Sequence, residues 1–145
     1  MIMEKNEKNE RYSEIKPEQI GMAKDLAQKI SRILEEKKAG QIKIIETNKQ
    51  TIIADYFVIA TGTSSTHIRS LAGEVEEKLK DDMGMKPARV TGQESRDWVI
   101  MDYNSVLVHI FNSEARDYYK LEKLWGDGES INLANLENLE LEELE

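Results

Sequence analysis

The run Tyr56-Phe57-Val58-Ile59-Ala60-Thr61 constrains this chain more than any other stretch. It shows no alternation of apolar and polar residues, and Asp55 and Gly62 bound it. A strand of this kind cannot leave a face to water, so it belongs at the centre of a sheet covered on both sides. The apolar stretch around it, Ile52 to Ala60, is interrupted by Asp55 and is far too short to span a membrane. Directly after Gly62, the hydroxyl run Thr63-Ser64-Ser65-Thr66 offers N-caps for a helix. That helix carries Ile68, Leu71, Ala72, Val75 and Leu79 at helical spacing to about Met83, and Gly84 stops it.

The remaining elements arrange themselves around this centre. Pro17 suits a first helical position, and Ile20, Ala23, Ala27, Ile30, Ile33 and Leu34 recur on one face of a helix that Gly40 is expected to end. Ile42–Glu46 reads as a strand, and Asn48–Gln50 reads as a turn leading to the central run. Pro87–Val90 makes a short strand, and Trp98–Tyr103 and Val106–Phe111 flank Asn104-Ser105 as an antiparallel hairpin. A last helix is expected from Ser113, as its cap, through Tyr118, Leu121 and Leu124 to Trp125, where Gly126-Asp127-Gly128 breaks it. The expected fold is therefore α/β, a five-stranded mixed sheet with flanking helices. The expected domain is 17–126, between a polar arm over 1–16 and an acidic Leu/Glu-rich tail over 127–145, read as disordered or partly helical.

Charge limits the function. Asp127–Glu145 holds seven acids and no base, and Met1–Glu18 holds five acids against four bases. These ends account for −7 and −1 of the net −8, which leaves residues 19–126 neutral. A neutral body with an acidic end lacks the basic surface that drives general nucleic-acid binding, so no direct sequence-specific nucleic-acid contact is expected. There is no cysteine, hence no disulfide and no thiolate chemistry, and a reducing cytoplasmic location is expected. Residues 1–16 mix acids with bases and lack the apolar run of a secretory signal.

Candidate chemistry is sparse. Strand, glycine, hydroxyls and helix at 56–68 resemble a phosphate-holding helix start, yet neither a P-loop nor a dinucleotide fingerprint is present, and capping explains the hydroxyls equally well. No carboxylate pair follows Gly62-Thr63-Ser64, as magnesium-dependent nucleotidyl transfer would need. His67 and His109 lack a second ligand at metal spacing. His109 can be a core histidine, a surface contact or a general base, and no defined partner supports the last. No cofactor or metal is expected, nor catalysis. The aromatics offer more. Trp98, Tyr103, Phe111, Tyr118, Tyr119 and Trp125 are six of the nine in the chain, clustered in the hairpin and last helix with Arg116 nearby. That is the composition of a binding hot spot, and it is also compatible with plain packing. Alternation sends Trp98, Ile100 and Asp102 to one face and Val99, Met101 and Tyr103 to the other.

Four segments in order, Ala54-Asp55-Tyr56-Phe57-Val58-Ile59-Ala60-Thr61-Gly62-Thr63-Ser64-Ser65, Trp98-Val99-Ile100-Met101-Asp102-Tyr103, Val106-Leu107-Val108-His109-Ile110-Phe111 and Arg116-Asp117-Tyr118-Tyr119-Lys120-Leu121-Glu122-Lys123-Leu124-Trp125, resemble the ribosomal silencing factor (RsfS, Iojap) family. The resemblance covers about Ile20 to Trp125. It implies a nucleotidyltransferase-like sheet without the catalytic carboxylates. It also implies binding to large-subunit ribosomal protein fourteen, where occupancy blocks joining of the small subunit and represses translation. Carried over, the partner-binding residues are Trp98, Asp102 and Tyr103 on the first hairpin strand, His109 on the second, and Arg116, Tyr119 and Lys120 on the last helix. Trp98 would be the apolar anchor, and Asp102 the charge meeting a basic ribosomal protein. Asn104-Ser105 replaces the family's usual Gly-Asp turn, and Asn is expected to keep the turn because it tolerates positive φ. A homodimer through the same aromatics would compete with the ribosomal partner. The alternative reading is a nucleotide-binding protein or enzyme using Ser64 and the helix start.

Overall fold

The computed structural model describes residues 17–125 and the short segment Ser130–Ile131. Its elements are α1 (Pro17–Glu36), β1 (Gly40–Glu46), β2 (Tyr56–Thr61), α2 (Ser65–Met83), β3 (Arg89–Thr91), β4 (Trp98–Asp102), β5 (Val106–Phe111), α3 (Ser113–Tyr119), α4 (Leu121–Leu124) and β6 (Ser130–Ile131). The strands form one sheet in the order β3-β4-β5-β2-β1-β6. Strand β2 lies inside it, parallel to β5 and antiparallel to β1, with every residue buried. The remaining pairs, β3 with β4, β4 with β5 and β1 with β6, are antiparallel, so the sheet is mixed as expected.

Register divides the side chains between two faces. Tyr56, Val58 and Ala60 share one face with Val106, Val108 and Ile110, and across β4 with Val99 and Met101. This face is closed by the apolar stripes of α1 (Ala23, Leu26, Ala27, Ile30, Leu34) and α2 (Ile68, Leu71, Val75, Leu79) in the main core. Phe57, Ile59 and Thr61 share the other face with Leu107, His109 and Phe111, and through β5 with Trp98, Ile100 and Asp102. A smaller cluster forms there, built on Ile45, Ala54, Phe57, Ile59, Phe111 and Ala115, with Trp98, Leu107, Leu121 and Trp125 packed against it.

Helix ends follow local chemistry. Ser64 caps α2, its Oγ accepting from the His67 N–H at 3.0 Å. Gly84 ends α2 in the left-handed region (φ +61°), with the Met85 N–H donating to the Leu79 carbonyl at 3.1 Å. The same closure ends α1 four residues before the expected Gly40. There Lys38 takes φ +64°, and the Ala39 N–H donates to the Leu34 carbonyl at 2.9 Å. Gly62 is required by space, because a Cβ there would lie 2.7 Å from Ile68 Cγ1 as β2 turns into α2.

Three further expectations are corrected. The last helix is not continuous, since Lys120 adopts φ +50° and separates α3 from α4. Its cap is Asn112 rather than Ser113, with the Ala115 N–H donating to Asn112 Oδ1 at 2.7 Å. The sheet has a sixth strand, Ser130–Ile131, paired with Ile45 and Ile44 at the β1 edge. The rest of the tail, and the N-terminal arm over 1–16, lie outside the described residues.

Candidate partner-binding face

The geometry of the second sheet face begins with Trp98. Its backbone is set by a tight approach: Gly92 has φ +85°, and a Cβ there would lie 2.2 Å from the Trp98 carbonyl oxygen. Three residues further along, Ser95 Oγ accepts from the Asp97 N–H at 3.1 Å. Asn112 ties this loop to the end of β5, its Nδ2 donating to Asp97 Oδ1 at 2.7 Å and its N–H to the Asp97 carbonyl at 2.9 Å. Asn112 therefore caps α3 and fixes the start of β4 at once.

Around the half-buried indole the aromatic rings form a continuous group. Trp98 stacks on Phe111 with centroids 4.7 Å apart and meets Tyr119 at 4.7 Å. His109 lies next to it on β5, its ring 4.9 Å from Phe57 and 5.8 Å from Trp98. Trp125 closes the far side of Phe57 edge-on at 5.2 Å. Tyr119 is 48% exposed, and its neighbour Tyr118 is 81% exposed. Offset and edge-on arrangements of this kind add to simple area burial while leaving ring surface outward.

The helical corner beside the rings is held by Arg116. Its guanidinium is 6% exposed, donates to Thr61 Oγ1 at 2.8 Å, and forks onto Glu122 from Nε at 3.2 Å and Nη2 at 3.0 Å. One side chain thus ties α3 to the end of β2 and, across the break at Lys120, to α4. The fork geometry explains why arginine rather than lysine suits this position.

Trp98, His109 and Tyr119 are brought together, with Lys120 exposed on the adjoining corner. Asp102 shares the face but sits at the opposite end of β4, where its Oδ1 accepts from the Asn104 N–H at 2.8 Å. Asn104 has φ +67°, so asparagine holds the turn in the left-handed region, as expected. Tyr103 belongs to the other face and is 4% exposed. Its hydroxyl has no hydrogen-bond partner among the described residues, and burial, reinforced by the Glu76 carboxylate, raises its pKa. Arg116 is likewise internal. Sequence reasoning missed Phe57 and Asn112 as contributors. The parallel register of β2 with β5, which puts Phe57 beside His109, has no local signature.

At the β2–α2 junction the hydroxyls serve the fold. Besides the Ser64 cap, Thr63 N–H donates to His67 Nδ1 at 2.9 Å, and His67 Nε2 lies 2.8 Å from the Lys37 carbonyl. Among the described residues no cluster of His, Cys, Asp and Glu could hold a metal.

Residues 21–144 match the family described as ribosomal silencing factor during starvation. The chain belongs to the ribosomal silencing factor family. The match runs past Trp125 into the Leu/Glu-rich segment. A ribosomal silencing factor from Halalkalibacterium halodurans is 35% identical over 109 residues, which cover 75% of this chain and 92% of that one. A crystal structure of a Chromobacterium violaceum protein superposes with a TM-score of 0.67 at 36% identity, covering 74% of this chain and 86% of that one. The mouse protein named mitochondrial assembly of ribosomal large subunit protein 1 is 31% identical over 73% of this chain and 47% of its own length. Among the described residues no helix is long and apolar enough to cross a membrane.

Proposed function

We propose that this ribosomal silencing factor binds the large ribosomal subunit through ribosomal protein fourteen, in the cytoplasm, and blocks docking of the small subunit by occupancy. Translation falls because joined ribosomes cannot form, and no chemical step is needed. The observation that carries this reading is the ring group of Trp98, Phe111 and Tyr119, which is assembled on a rigid sheet yet left half open. Rigid aromatics with exposed surface bind at low entropic cost and are typical anchors of standard-sized interfaces. Trp98 and Tyr119 form the centre of the proposed contact, with Asp102 and Lys120 as charges at its margin. Tyr103, His109 and Arg116 act from beneath by holding that surface in shape. A second copy seated on the same rings would compete with the ribosome.

Sucrose-gradient sedimentation of purified subunits, at low magnesium and at magnesium that permits joining, tests the proposal. Comigration with the large subunit and loss of joined ribosomes is the expected result. Joined ribosomes forming in full at saturating protein would refute it.

A further inference from the structure

His109 carries an unusual hydrogen-bond state. Its ring is 4% exposed, and its Nδ1 lies 3.1 Å from Trp98 Nε1. An indole nitrogen only donates, so Nδ1 is the bare acceptor and the ring proton sits on Nε2. Nε2 is buried and has no partner among the described residues. Burial pushes the imidazole pKa down to about 3, which keeps Nδ1 free to accept at neutral pH. A phenyl ring in this place would stack on Phe57 and Phe111 with no orphaned N–H. The imidazole thus brings a cost, and the contact that offsets it is the one to Trp98.

We propose that His109 is a positioning residue for partner binding, accepting the Trp98 indole N–H and thereby locking the indole on Phe111 with its polar edge turned into the sheet. This rests on the reading of Trp98 as the anchor. It also specifies the partner: the pocket that receives Trp98 is apolar and offers no acceptor to the indole, because that donor is already used.

The test is a double-mutant cycle on large-subunit affinity with His109→Phe, Trp98→Phe and the double variant, paired with hydrogen exchange of the Trp98 indole N–H by NMR. His109→Phe should keep or raise thermal stability, speed indole exchange, and weaken affinity roughly three- to tenfold, the scale of one hydrogen bond. In the Trp98→Phe background the same change should cost nothing more. His109→Asn, whose Oδ1 can stand in for Nδ1, should restore slow exchange and affinity even though the smaller side chain lowers the melting temperature. Equal losses in both backgrounds would mean that His109 touches the partner directly, and unchanged indole exchange in His109→Phe would mean that it does not hold Trp98; either overturns the proposal. If the wild-type protein binds no subunit, the functional reading fails, and indole exchange alone still decides whether His109 fixes Trp98.

Discussion

The sheet face that carries Val58, Val99, Val108 and Ile110 is roofed by two long helices, whereas the face that carries Trp98, His109 and Phe111 is roofed by its own rings and by α3 and α4 at one end. On the first face most interior side chains are apolar and meet a helix stripe, so that face chiefly contributes stability. On the second, a tryptophan, a histidine and a tyrosine stand where a third long helix would have hidden them. One sheet thus has two unlike faces: the covered face holds the molecule together, and the half-covered face leaves ring surface exposed, which is where we propose the partner docks.

Substitutions can break or sharpen that division. The largest stability effect belongs to the covered face, where Leu71→Ala empties a fully buried site on α2 and should cost about 2–5 kcal/mol in chemical denaturation. Trp98→Ala on the open face should cost about 2 kcal/mol or more of large-subunit binding, read by sedimentation of the mixture, with a smaller loss of folding stability. A loss confined to stability would erase the contrast between the faces.

Acidification gives an effect of similar size, specific to His109. The folded protein holds its imidazole neutral with a pKa of about 3, while the unfolded chain titrates near 6.5. Below pH 6.5 the unfolded state therefore binds the extra proton, and stability falls as pH drops, by about 2 kcal/mol at pH 5 relative to pH 8. His109→Phe should remove that part of the pH dependence in denaturation curves taken across the range. The smallest effect is expected from Tyr103→Phe. Deleting a buried hydroxyl that lacks a partner should leave stability unchanged or raise it by about 1 kcal/mol, and large-subunit affinity should not move. A marked loss of affinity would return Tyr103 to the contact surface.

The sequence made some of this legible and concealed the rest, for physical reasons. The unbroken apolar run 56–61 announced an interior strand, and the stripe on α2 announced what covers it. Alternation along β4 correctly separated Trp98 from Tyr103. Helix ends were harder where lysine, not glycine, takes the left-handed conformation: Lys38 and Lys120 pay a backbone cost that tertiary contacts such as the Arg116–Glu122 fork offset, and composition carries no trace of that. The strand at Ser130–Ile131 was invisible because two residues are too few to show a period. The family motifs named Arg116 and Tyr103 beside Trp98 without revealing that both side chains are buried, since burial depends on long-range packing.

The most direct test of the account is titration of isolated large subunits with the wild-type protein and with Trp98→Ala, each first shown to be folded by thermal melting. The account predicts saturable wild-type binding and an affinity at least roughly 30-fold weaker for the variant, the equivalent of about 2 kcal/mol. Equal affinities for the two folded proteins would contradict it.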